Sequence, residues 1–235
     1  MNFTDVMQEL EALGKERTKK IYISNGAKEP LFGVATGAMK PLSKQIKINQ
    51  NLAEDLYATG NYDAMYFAGV IADPQAMTKD DFNRWMDAAY FYMLSDFVVA
   101  VTLTESPHNQ EIATEWIHSD KDLRQSAGWS TYCWSLGRWP DDQFDQEQIK
   151  AFLDYAVEVI PTVGPRAKAS ISNFIHTVGL SYMPLHDYAV TISEQVGDIE
   201  IDRPGRKPQT LNPHQNILKD KAKNRLGFKR KYVRC

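Results

Sequence analysis

The chain has 235 residues, 43% hydrophobic and 24% charged, enough to bury a full core in one large domain or two small ones. No apolar run approaches the roughly 18 residues that cross a membrane, and the N-terminus has no basic-then-apolar leader pattern, so a cytoplasmic protein is expected. Cys133 and Cys235 support neither a disulfide framework nor a zinc site, and His118, His176, His186 and His214 lack ligand spacing, so neither a metal nor a cofactor is expected.

Helical signals follow one another along the chain. Thr4-Asp5 reads as the cap of a helix to about Leu13, and Glu16 to Ile23 as a second. Residues 25–30 form a loop, leading into Leu31-Phe32-Gly33-Val34-Ala35-Thr36-Gly37. That turn invites comparison with a phosphate-cradling loop, but no strand precedes it and the Gly-Lys-Ser/Thr ending is absent, which excludes it. Met39–Ile48, Gln50–Ala58 and Tyr62–Ile71 are predicted helices, with Gly60 as a stop and Asn61 as a start. Thr78 caps a run bearing Phe82, Trp85, Met86, Ala89, Tyr90 and Met93 at helical spacing. The β-branched run Phe97 to Leu103 is read as a buried helix, since helices flank it and no partner strand is visible. Ser106-Pro107 opens a helix to about Ile117.

The stretch Trp116 to Trp139 holds four of the five tryptophans and is apolar on nearly all faces, as a helix covered on several sides should be. Ser119 is its expected N-cap and Gly137 its stop; Ser126-Ala127-Gly128 would let another backbone come close, and Arg124 alone is placed for outward work. Trp129, Tyr132 and Trp134 are assigned to packing before any base-accepting cleft. Further helices follow at Phe144–Ile160, from Gly164-Pro165 to Val178, and from Leu185 to Val196. The pattern is all-α: an α-solenoid or superhelix of degenerate HEAT-like helix pairs over 1–196, with a concave face suited to an extended partner.

Past Gly197 the character changes. Asp198-Ile199-Glu200-Ile201-Asp202 alternates with period two, residues 203–207 are turn chemistry, and Gln209-Thr210-Leu211 can return, giving a β-hairpin. Asn212-Pro213 starts a short helix, so 197–235 reads as a hairpin plus a basic helix and tail packed on the same domain. From Arg203 onward there are eleven Lys and Arg against one acid, Asp220, although the whole chain has net charge −3. A basic end on an acidic body points to an anionic partner, nucleic acid first. Phe228 and Tyr232, interleaved with those cations, add faces on which unpaired bases can stack.

Four segments resemble the DNA alkylation repair family of HEAT-like repeat, AlkD-like proteins. They are Leu31–Val34 with Lys40 to Lys47, Trp116 to Gln125, Lys168 to Pro184, and Gly197–Asp202 with the Gly227-Phe-Lys-Arg-Lys ending. The resemblance implies a glycosylase-like fold. It also implies where catalytic residues would stand: laid on a Ser-Trp-Trp-Asp-Ser-Val-Asp segment, this chain has Phe97 at the catalytic tryptophan and Val101 at the aspartate, with Asn173 near the later tryptophan. Valine gives none of the several kcal/mol by which a facing carboxylate stabilises a cationic sugar; a shift of one residue would bring Asp96 towards the site. The chain is closest to the branch that lacks the catalytic residues and carries a hairpin and basic ending. That branch implies a DNA-binding protein recognising branched or otherwise non-standard DNA. A monomer is expected, and the basic residues point to backbone contacts, with Arg124, Lys168, Arg203, Arg206, Lys207, Lys229, Arg230, Lys231 and Arg234 as DNA-binding candidates. The alternatives are a glycosylase excising alkylated or other modified purines, and a protein-interaction solenoid that binds no DNA.

Overall fold

The computed structural model describes residues 1–203 and 207–234. By its contacts the chain forms two compact units: Met1–Asn109 joined by Arg234, and Gln110–Val233. That boundary lies inside the stretch read from the sequence as one repeat domain.

In the first unit, α1 (Phe3–Leu13), α2 (Glu16–Ser24), α3 (Lys40–Ile46), α4 (Gln50–Ala58), α5 (Tyr62–Ile71) and α6 (Lys79–Ala88) lead into a continuous helical run. This run is α7 (Tyr92–Leu94), a π-helical stretch Ser95–Val99, and α8 (Ala100–Thr104). Side-chain caps set several of the helix starts. Asn2, not Thr4, starts α1: its side chain accepts from the Asp5 N–H and the Asp5 carboxylate accepts from the Asn2 N–H, which draws Phe3 and Thr4 into the helix. Asn61 receives the Asp63 and Ala64 N–H groups, and Thr78 pairs reciprocally with Asp81. The predicted 39–48 helix is shorter than expected: Thr36–Met39 is a tighter 3₁₀ turn, and Lys47 at φ 62° ends α3 at Ile46. Likewise α6 stops at Ala88, so Tyr90 and Met93 lie beyond it.

The β-branched run is helical, with Val98, Val99, Val101 and Leu103 in the core. Gly69 on α5 makes room for it, since a Cβ there would stand 2.6 Å from Val98 Cγ1. The extra residue of a π turn re-aims the side chains around 95–99. Tyr57 stacks on Trp85 at 4.0 Å and donates to its carbonyl, while Trp85 Nε1 donates to Glu54.

The second unit contains α9 (Asn109–Ile117, from Gln110), α10 (Asp122–Leu136), α11 (Gln146–Val159), α12 (Pro165–Ser181) and α13 (His186–Val196), followed by β1 (Ile199–Ile201), β2 (Gln209–Leu211) and α14 (Pro213–Ala222). The helix α10 is central, as its sequence predicts. A Cβ on Gly128 would come within 2.6 Å of the Ile117 backbone nitrogen, so only glycine allows α9 this close. On another side Ser126 and Ser130 reach Ser170 of α12, at 2.6 and 3.2 Å. Trp129 and Tyr132 are fully buried among Phe152 and Phe174.

Two expectations for α10 shift. Ser119 accepts from the Lys121 N–H in the turn before the helix, and α10 begins at Asp122 with Lys121 at the cap position and no side-chain cap. Gly137 ends the helix at φ −75°, without the left-handed turn expected of a glycine stop. Similarly α9 begins at Asn109, because Ser106 Oγ accepts from His108 in a preceding turn. The hairpin is antiparallel, pairing Ile199 with Leu211 and Ile201 with Gln209, and Ile199 and Ile201 pack inward beside Ala169. No helix among the described residues is long and apolar enough to cross a membrane.

Candidate nucleic-acid interface

Two loops offer backbone N–H groups to an anion, and a carboxylate of the chain fills each. The N–H groups of Phe32, Gly33 and Val34 all donate to Asp63, at 2.6, 2.9 and 2.8 Å. Three successive N–H groups aimed at one point form an anion nest. Gly33 is required there: it sits at φ +81°, and a Cβ would lie 2.5 Å from the Lys19 nitrogen. Burial pushes the Asp63 carboxyl above the ordinary range, against the pull of its three N–H donors. The second loop is the start of α12, where Gly164 supplies no capping side chain. Asp122 takes that part, accepting from Ala167 at 2.7 Å and Arg166 at 3.2 Å. The turn excluded as a phosphate loop is therefore an anion loop, occupied from within the chain.

The stretch on which the resemblance would place the catalytic segment lies in the first unit. Phe97 is 37% exposed, Val101 only 7%. Asp96 is 1% exposed, with Oδ1 accepting from Ser95 Oγ at 2.8 Å. It is locked into the helical core. Asn173, on α12 of the second unit, is exposed. The described residues contain no cluster suited to a metal ion.

The basic candidates fall into groups. Arg234 donates to Glu105 at 2.6 Å and to the carbonyls of Ala72 and Gly69, all within the first unit. Lys229 bridges Asp141 and the Leu136 carbonyl, both at 2.7 Å, at the C-terminal end of α10. A cation there suits the negative pole of the helix. Both side chains act within the fold. Arg203 closes the hairpin by two hydrogen bonds to the Lys207 carbonyl, leaving Lys207 exposed; Arg206 lies outside the described residues. Arg124 rests half-buried over Trp116, Lys168 is half-buried near the start of α12, Arg230 lies over Trp134, and Lys231 is exposed over Tyr232. Sequence reasoning missed Asp141 and Trp134 as partners of the tail. Their signal was only the acid and aromatic content just inside and beyond the end of α10.

Around these groups the helix pairs and small hairpin define a HEAT-like repeat protein. Residues 6–191 match the model of the DNA alkylation repair enzyme family, and the chain belongs to that family. It is 25% identical over 97% of its length to the whole of Lin0241, an uncharacterised protein of Listeria innocua. A second uncharacterised protein, Lmo0209 of Listeria monocytogenes, is 26% identical over 86% of this chain and 89% of its own. A solved structure matches at TM-score 0.97 and 60% identity over 100% of both chains; it represents a new family of proteins related to the HEAT-like repeat DNA glycosylases with affinity for branched DNA structures.

Proposed function

We propose that this protein binds DNA as a monomer in the cytoplasm, recognising branched or otherwise non-standard structures through backbone contacts, and that it excises no base. The observation that carries the reading is the 60% identity, over the full length of both chains, to a structure whose family has affinity for branched DNA. The geometry supports it. Cations that act on phosphate must face solvent, and Lys207 and Lys231 do so. The cations of the hairpin, α14 and tail form the part that contacts phosphates, with Arg206 its further sequence candidate and Arg203 holding the turn. Excision would need a carboxylate facing an extruded nucleoside; Val101 is a buried hydrocarbon and Asp96 is sealed. Binding to a labelled four-way junction and to linear duplex of equal length, across a salt series, tests the reading. Junction binding that exceeds duplex binding and falls steeply with salt is expected. Absence of binding to either would refute it.

A further inference from the structure

The tail is fixed along its backbone, yet its two aromatic side chains face solvent. The Gly227 N–H donates to the Leu180 carbonyl at 2.7 Å, and the Arg230 N–H donates to the Gly137 carbonyl at 2.6 Å. Lys229 is held at the end of α10, and Val233 is buried. Between these anchors Phe228 is 41% exposed and Tyr232 is 67% exposed. A segment held only to complete the core would turn such rings inward, where their apolar area counts most. Each ring instead has a cation beside it: the Arg225 guanidinium, itself paired with Asp220 at 2.8 Å, is 4.9 Å from the Phe228 centroid, and the ammonium of exposed Lys231, which is left to meet a phosphate, is 5.3 Å from that of Tyr232. Arg230 lies 4.7 Å from the half-buried Trp134 ring. Exposed Lys219, Lys221 and Lys223 extend the positive charge along and just past α14.

We infer that the segment from Arg225 to Tyr232 is a stacking surface for unpaired nucleotides, and that its occupant is a single-stranded DNA arm. The inference rests on the DNA-binding reading and deepens it. Rings with an open face accept any base, because every base has a π face, and neighbouring cations take the phosphates. A paired duplex keeps its bases stacked inside and offers these rings nothing. Because hydrogen bonds already fix the backbone, little ordering is left to oppose binding. The surface thus separates a strand with unpaired bases from one fully paired, while the hairpin grips phosphates on either.

The test is fluorescence anisotropy with the full chain on three probes at one moderate salt concentration: labelled oligo-dT, a splayed-arm duplex with two unpaired arms, and a blunt duplex of equal length. Phe228→Ala/Tyr232→Ala should weaken oligo-dT and splayed-arm binding about tenfold and leave blunt-duplex binding within about twofold. Tyr232→Phe should keep most of the affinity. Unchanged thermal unfolding of both variants shows that the fold is intact, as the exposure of the rings implies. Equal loss on all three probes, or no loss on any, overturns the inference. Wild-type binding to duplex but not to oligo-dT overturns it alone, whereas no binding to any probe overturns the DNA-binding reading as well. Sedimentation velocity covers the remaining occupant: a wild-type dimer that the double variant dissolves would mean that a second copy covers the rings, and would also overturn it.

Discussion

Ser95–Val101 in the first unit and Gly227–Val233 in the second are of equal length, and each lies where the family resemblance places functional residues. One is sealed and the other is presented. In the first, Val98, Val99 and Val101 pack into the core, and the one carboxylate, Asp96, is buried and accepts from Ser95. In the second, Lys229 and two backbone N–H groups anchor the chain, and Phe228, Arg230, Lys231 and Tyr232 remain outside. The difference teaches that presence of a residue type is not availability. An acid counts for chemistry, and a cation for recognition, only after the partners within the chain are known.

Four variants break or sharpen this contrast. The largest effect is expected from Val101→Asp, which restores the missing carboxylate in sequence but buries an unpaired charge: a loss of about 3 kcal/mol or more in urea denaturation, with no gain of base excision. Excision by a folded variant would show the position to be open. Asp63→Ala should cost about 2–3 kcal/mol by leaving the three N–H groups of residues 32–34 without their acceptor, again read by urea. On the presented side, Arg206→Ala/Lys207→Ala should weaken junction binding about tenfold at low salt and reduce the salt slope by about two, with unfolding unchanged. The smallest effect belongs to Lys229→Ala. Its half-exposed ion pair and carbonyl contact should amount to about 1 kcal/mol of stability, with a smaller change in duplex affinity than the hairpin pair gives.

Much of the fold was legible because its signals are local. Thr78 with Asp81, Asn61 before Asp63, and Gly164-Pro165 each announce a helix start within four residues, and alternation at 198–202 announces the hairpin. The small run at 126–128 gave the close approach of α9 correctly. The π stretch was not legible: β-branched residues pack as well on either face, so periodicity cannot show an extra residue in a turn. The site was legible only as a list of charges. Asp63 meets its loop across some thirty residues, Asp122 meets α12 across more than forty, and Lys229 meets Asp141 across 88. No local pattern marks which cations such long-range pairs will consume. The one available hint was Gly164, a helix start without a capping side chain, which implies a donor-hungry backbone served from elsewhere.

The most direct test of binding without base removal uses one substrate for both halves: a four-way junction carrying a single 7-methylguanine at the branch. The account predicts a salt-sensitive complex, tighter than with duplex bearing the same lesion, and no alkali-labile abasic site after prolonged incubation with excess protein. Strand cleavage at the lesion on alkali treatment, above the level without protein, would contradict it.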